Sequence, residues 1–156
     1  MPDLWPRDVE HTDLKAPVTI LREQASLLGK KTQNIVTAEV TKPLDLVVRI
    51  QELGAMNFRD PSKPKAFFYA FHLVAPALAN YRYELFTIAN DIRLYPVIIY
   101  LDEDLLAEIA PGAKEDNLVV HTENEFLEIL GKILGSQKTK NIIQAMLAQS
   151  TSLQLE

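Results

Sequence analysis

The stretch "AFFYAFHLVAPALANYRY", residues 66–83, decides the fold. Its first fourteen residues contain one histidine, one proline and no formal charge. A membrane-spanning helix needs about 20 apolar residues, and both His72 and Pro76 also argue against one. When the side chains are placed alternately on two faces, both faces are largely apolar, which predicts a strand covered on both sides. "PALAN" then supplies a turn, and residues 81–90 form the return strand.

The short turn also predicts which residues face each other across this hairpin. Two groups of pairs result, one for each face: Ala75–Tyr81, Leu73–Tyr83 and Phe71–Leu85 on the first, and Val74–Arg82, His72–Glu84 and Phe68–Ile88 on the second. The second face is therefore apolar at one end and holds His72, Arg82 and Glu84 at the turn end. A histidine beside a carboxylate favours its protonated form and is a candidate base or pH-sensitive group.

The flanking sequence predicts an α+β fold, because strands follow one another in a run and helices follow in a second run. The expected arrangement is an antiparallel sheet of four or five strands with an N-terminal helix and C-terminal helices packed on it. We expect one domain over 1–156, with a polar arm at 1–15 anchored by Trp5 and a frayed tail at 150–156. The stretch 16–31 predicts a helix that stops at Gly29 and is followed by Lys30 and Lys31. The periodicities further predict strands at 36–41, 44–51, 91–101 and 117–121, a loop at 54–65, and helices at 102–112, 122–135 and from 136 onward.

Composition limits the kinds of protein this chain can be. Its 156 residues are 47% hydrophobic and include no cysteine, which excludes disulfides, thiolate zinc sites and a cysteine nucleophile. The N-terminus lacks the basic and apolar regions of a secretory signal. These features together predict a cytoplasmic protein.

The net charge of −5 is concentrated in one region. Residues 102–128 carry nine acids against the single base Lys114, a net charge of −8. Such a surface suits a basic partner and disfavours phosphate. Asp102, Glu103 and Asp104 lack calcium-loop spacing, and capping of the following helix explains them more simply.

The common catalytic constellations are missing from the sequence. No Glu-x-Lys of a restriction-type nuclease, no Gly-rich phosphate loop and no Gly-x-Ser-x-Gly elbow occurs. The three histidines are far apart along the chain, without the spacing of a zinc site. We therefore predict no cofactor and no metal.

Three hypotheses of function follow. The favoured one is a noncatalytic cytoplasmic module that binds an unknown protein partner, with Tyr81, Tyr83 and Arg93 as interface residues, or that forms a homodimer through an unpaired edge strand. The alternative is an enzyme or small-molecule-binding protein with a pocket on the sheet around His72, Arg82 and Glu84. Single-stranded nucleic-acid binding stands third, and the negative net charge disfavours it. Its candidate residues mix bases with aromatics: Phe58, Arg59, Lys63, Lys65, Tyr81, Arg82, Tyr83, Arg93 and Tyr95.

Overall fold

A computed structural model describes residues 1–42 and 66–154. Within them lies one five-stranded antiparallel sheet in which each strand pairs with the next along the chain. The α+β fold predicted from the sequence is therefore confirmed. The helices are α1 (Pro17–Lys31), α2 (Glu103–Ile109), α3 (Glu123–Leu134) and α4 (Gln137–Gln154). The strands are β1 (Thr37–Thr41), β2 (Phe67–Ala75), β3 (Tyr81–Asn90), β4 (Val97–Tyr100) and β5 (Asn117–Val120).

The four helices of the described residues all contribute side chains to one large core on one face of this sheet. Phe71 of β2 lies at its centre, 1% exposed, with its ring stacked on that of Phe86 at 5.1 Å between centroids. The second face carries a smaller cluster around Phe68 and Ala89. Both faces of β2 are therefore apolar at one end, as the alternation of the sequence predicts.

A β-bulge corrects the predicted hairpin register. The four pairs nearest the turn are as expected, including His72 with Glu84. Beyond them Phe71 pairs with Phe86 rather than Leu85, and Phe68 pairs with Ala89 rather than Ile88. Leu85 is the extra residue, and it remains buried at 2% exposure. The bulge thus turns two successive apolar side chains into the core.

The end of α1 differs from the prediction. Gly29 does not stop the helix, which runs to Lys31. A Cβ atom at Gly29 would lie 3.0 Å from Oδ1 of Asn34, so the glycine permits the chain to pass close by. The turn itself is made by Gln33 and Asn34, whose φ angles are 54° and 64°. Asparagine tolerates this left-handed conformation better than most residues.

The two ends of the described chain differ in burial. Trp5 is 77% exposed and does not anchor the N-terminal arm. At the other end, α4 continues through Gln154 and Ser150 is fully buried, whereas residues 155–156 of the predicted frayed tail lie outside the described residues. The hydroxyls of Thr151 and Ser152 donate to carbonyls one turn back in the same helix. The predicted strand at 44–51 and loop at 54–65 lie outside the described residues.

Candidate protein-binding groove

The tip of the β2–β3 hairpin forms one wall of a groove. β2 ends at Ala75, a 3-10 turn covers Pro76–Leu78, and Ala79 and Asn80 take left-handed φ angles of 56° and 57°. These two residues reverse the chain so that Tyr81 begins β3 directly opposite Ala75. Because Ala75 belongs to the helix-covered face, Tyr81 points to that face as well.

Helix α4 forms the other wall. The groove has a volume of about 440 Å³ and is lined by seven residues: Leu78, Tyr81, Tyr83, Ile142, Ala145, Met146 and Gln149. Met146 is buried at its base, whereas Tyr81 is 53% exposed at its rim. Six of these side chains are apolar or aromatic, so the groove offers an apolar surface with Tyr hydroxyls and one amide at its edges.

A lysine connects this groove to the acidic part of the chain. Lys138 Nζ lies 5.9 Å from the ring centroid of Tyr83, within cation–π range. The same ammonium group donates to the carboxylates of Asp102 and Asp104, the latter at 3.4 Å. Burial alone would lower the pKa of Lys138, but its bonds to Asp102 and Tyr83 outweigh burial and raise it. Lys138 is therefore charged and held in place beside the tyrosine.

Some acidic side chains between residues 102 and 128 accept hydrogen bonds from backbone N–H groups at the start of helices. Asp102 caps α2 by accepting from Leu105 N at 2.9 Å, as the capping explanation of residues 102–104 predicts. Thr122 caps α3 by accepting from Glu125 N at 3.1 Å. Glu108 accepts from the backbone N–H of Gln137 at 2.6 Å, at the positive end of α4. Asp104 differs, because 84% of its side chain is exposed. Its carboxylate is therefore largely open to solvent, although it also accepts from Lys138 Nζ at 3.4 Å.

The second predicted site, at His72, lies on the opposite face of the sheet. Glu39 of β1 and Glu84 of β3 flank His72 in register on its two sides. Oγ1 of Thr41 and Nε2 of His72 share a hydrogen bond of 3.0 Å. The carboxylate of Glu84 accepts from Thr87 Oγ1 at 2.9 Å, and Arg82 forms an ion pair with Glu39. Within the described residues, no hydrogen bond joins His72 to Glu84.

The electrostatic expectation for His72 was wrong. Burial, together with the positive charge of Arg82, holds the pKa of His72 below its ordinary value. The carboxylates of Glu84 and Glu39 raise it, but by less. Neighbouring carboxylates were expected to favour the protonated ring, whereas burial favours the neutral one. The alternative of a pocket at His72 stays a prediction.

The structure separates residues that the sequence grouped together. Tyr81 and Tyr83 share the groove, but Arg82 points to the other face with His72 and Glu84. Arg93 follows β3 and is held by Asp91 through contacts that include Arg93 N to Asp91 Oδ1 at 2.8 Å. Since β3 has ten residues, Arg93 lies roughly 30 Å from Tyr81. The three proposed interface residues therefore do not form one surface.

Sequence reasoning missed the α4 half of the groove. The helical spacing of apolar residues in α4 indicates only that Ile142 and Met146 face inward. Nothing local in the sequence indicates that Ala145 and Gln149 stand opposite Tyr81. That arrangement depends on where α4 docks against β2 and the 3-10 turn. The exposed tyrosine at a hairpin tip was the one available signal.

The structure adds no support for metal binding, nucleic-acid binding or a membrane span. Within residues 1–42 and 66–154, no three His, Asp or Glu side chains are grouped closely enough to hold a metal ion. Four residues of the nucleic-acid hypothesis lie outside the described residues: Phe58, Arg59, Lys63 and Lys65. None of the described helices combines the length and apolar character that crossing a membrane requires. Comparisons with protein-family models, with curated proteins and with solved structures find no match.

Proposed function

We propose that this chain is a noncatalytic cytoplasmic protein-interaction module. It binds a partner segment that places an apolar anchor in the groove between the hairpin tip and α4. The observation that carries the proposal is Tyr81, an aromatic side chain that is 53% exposed at the rim of an apolar groove of about 440 Å³. Tyrosine is enriched among the residues that supply most of the energy of an interface.

The shape of the groove supports a side-chain anchor rather than a flat contact. Its base is the buried Met146, whose flexible thioether adapts to different apolar groups. Tyr81 and Tyr83 offer large rigid surfaces that lose little conformational entropy on binding. A leucine or phenylalanine side chain of a partner helix suits such a groove, as in other helix-in-groove complexes.

The charge beside the groove selects the residues that flank the anchor. Asp104 and Glu103 are exposed at the start of α2, and Lys138 ties that helix end to Tyr83. Lysine or arginine next to the apolar anchor would meet these carboxylates. We therefore assign the partner class as an amphipathic segment with basic flanks, for which the charges add specificity and association rate.

A fluorescent probe peptide tests this assignment. The probe is an amphipathic helix of about 14 residues with Leu and Phe at i, i+4 and Lys on both flanks. Its binding to the full chain is followed by fluorescence anisotropy. Ala145→Arg fills the groove from an exposed helix position and weakens binding about tenfold or more. Gln144→Arg places the same charge on another exposed side of α4 and changes affinity by about twofold or less.

The proposed attraction between the acidic residues of α2 and the basic flanks of the partner is tested separately with Asp104→Asn. This change slows association and makes affinity less sensitive to salt between about 50 and about 500 mM. A probe that binds equally well to the wild type and to Ala145→Arg excludes the groove as its site. If salt leaves the affinity unchanged, the basic flanks of the partner do not contribute to binding.

A further inference from the structure

The N-terminal arm, residues 1–15, exposes a series of large apolar side chains. All of its residues are exposed, and its one helical turn, Arg7–Glu10, buries no side chain. Five of its apolar side chains are at least 61% exposed: Met1, Leu4, Trp5, Val9 and Leu14. Apolar groups gathered in one exposed region and surrounded by polar ones are typical of a surface that binds another molecule.

Local contacts order this arm without burying it. The carboxylate of Asp3 accepts from Trp5 N at 3.0 Å, immediately before the turn at Arg7–Glu10. At the other end of the arm, Lys15 pairs with Glu23 of α1 at 3.1 Å. The arm therefore starts from a fixed point on α1 and presents its indole ring to solvent.

The arm is also acidic. Its four acids outnumber its two bases: Asp3, Asp8, Glu10 and Asp13 against Arg7 and Lys15. The rim of the hairpin groove carries exposed carboxylates as well, at Glu103 and Asp104. Like charges make the arm a poor occupant of that groove, whereas a basic segment would be attracted by both surfaces.

The hairpin groove is too small to bind a partner helix by itself. Seven residues line it, whereas a stable interface involves about 20–30 residues on each side. The apolar stripe of an amphipathic helix covers about 100° or more of its circumference. A helix anchored in the groove thus leaves apolar side chains for a second surface to cover.

The arm is long enough to reach a segment bound in the groove. The end of α1 lies beside the hairpin tip, because a Cβ atom at Gly29 would be 3.8 Å from Thr37 Cγ2 and Thr37 pairs with Val74. The 15 residues of α1 place its start about 22 Å from that end. Trp5 and Ala16 are eleven positions apart and span up to about 36 Å when extended. Helix α1 and the groove lie on the same face of the sheet, so the arm has no sheet edge to cross.

We propose that the N-terminal arm is a second binding element for the basic amphipathic segment assigned to the hairpin groove. Leu4, Trp5 and Val9 cover the apolar side chains that the groove leaves open. Asp8 and Glu10 pair with the lysines or arginines on the flanks of the segment. This inference rests on the proposed function, because the same bound segment contacts both surfaces.

Trp5 is the only tryptophan of the chain, so its fluorescence reports on the arm alone. The unlabelled Lys-flanked probe peptide, which contains no tryptophan, is titrated into the full chain. Emission of Trp5 shifts to shorter wavelength and quenching by acrylamide decreases, because the indole ring leaves water.

The contribution of the ring to affinity is measured with the labelled probe by anisotropy. Trp5→Ala weakens binding about tenfold. Ile92→Ala is the matched control, since it removes a 73% exposed apolar side chain beyond the far end of β3, and it changes binding about twofold or less. Neither variant alters the melting temperature, because both side chains lie outside the core.

The acidic groups of the arm are tested by charge reversal. Asp8→Lys weakens binding of the same probe about threefold or more at low salt. Glu128→Lys makes the same change at a 69% exposed position of α3 and leaves binding within about twofold.

Three results overturn the inference. If Trp5→Ala binds the probe as well as the wild type while Ala145→Arg binds it weakly, the arm takes no part and the groove remains the site. If the emission shift persists in Ala145→Arg at the same probe concentrations, the arm binds without the groove. If emission shifts with increasing protein concentration and no probe, the arm occupies a second copy of the chain instead.

Discussion

The two faces of the β2–β3 hairpin share one backbone and one register but have different surroundings. On the helix-covered face, Phe71 and Phe86 are stacked and almost fully buried. On the other face, the turn end carries Arg82 and Glu39, whose side chains are 46% and 51% exposed. Neighbours in sequence such as His72 and Leu73 therefore lie in unrelated environments. Candidate site residues in a strand have to be grouped by face and not by proximity in sequence.

The largest expected effect is on the helix-covered face. Phe71→Ala removes a ring that is 1% exposed and lowers the free energy of unfolding by about 3–5 kcal/mol. The loss combines transfer of the ring to water with the cavity left between β2, β3 and the helices. Urea denaturation followed by circular dichroism measures this loss. The slope m shows whether the variant and the wild type expose a similar surface on unfolding.

Arg82→Gln is the matched change on the other face. It breaks the ion pair with Glu39, and because both side chains are about half exposed it costs less than about 1 kcal/mol. Similar losses for Phe71→Ala and Arg82→Gln would contradict the contrast between the two faces.

The next effect concerns the bulge that separates the two halves of the hairpin. Deleting Leu85 leaves Glu84 opposite His72 and Phe86 opposite Phe71, so the other residues keep their faces. The protein should still fold, with a loss of about 2–3 kcal/mol for the buried leucine side chain. The measurement is again urea denaturation, supported by the hydrogen-exchange pattern of β2 and β3.

Leu85→Ala is the control for this deletion, because it removes the side chain and keeps the residue. The free energies of unfolding of the two variants should differ by less than about 1 kcal/mol if the bulge contributes no stability beyond the burial of that side chain. A deletion that unfolds the protein, while Leu85→Ala folds, would show that the extra backbone residue itself positions β3.

The bulge also marks where sequence reasoning reaches its limit in this fold. Alternation and turn length were enough to pair residues 72–75 with 81–84, because polar and apolar side chains there identify the faces. Beyond them the sequence reads Leu-Phe-Thr-Ile-Ala, in which apolar residues follow each other. Such a run fits several registers equally well. The choice between them is made by core packing, which no local pattern reveals.

The candidate sites follow the same rule. Tyr81 could be selected from sequence as an exposed aromatic near a turn, but its partners on α4 come from a helix more than fifty residues later. Arg93 was grouped with it because tyrosine and arginine are the residue types that anchor interfaces, but the length of β3 separates the two residues. Groove formation depends on tertiary docking, so composition alone cannot identify it.

The smallest effect is a pH dependence on the second face. The pKa of His72 is lowered by burial, so the folded state favours the neutral ring. The associated stability is fully present above the ordinary pKa of 6.5 and is lost as pH falls from there toward the folded-state pKa. His72→Gln retains a group that can hydrogen-bond Thr41 but removes the titration. Its melting temperature should therefore fall less than that of the wild type between about pH 7.5 and about pH 5.

His11→Gln is the control, because it replaces a histidine in the exposed N-terminal arm, away from the sheet. If His72→Gln lost as much stability on acidification as the wild type, burial of the ring would not be the cause. If it lost more, the carboxylates of Glu84 and Glu39 would dominate, and a protonated His72 would stabilise the folded state. That outcome would restore the carboxylate-held histidine predicted from the sequence, and with it the case for a pocket on this face of the sheet.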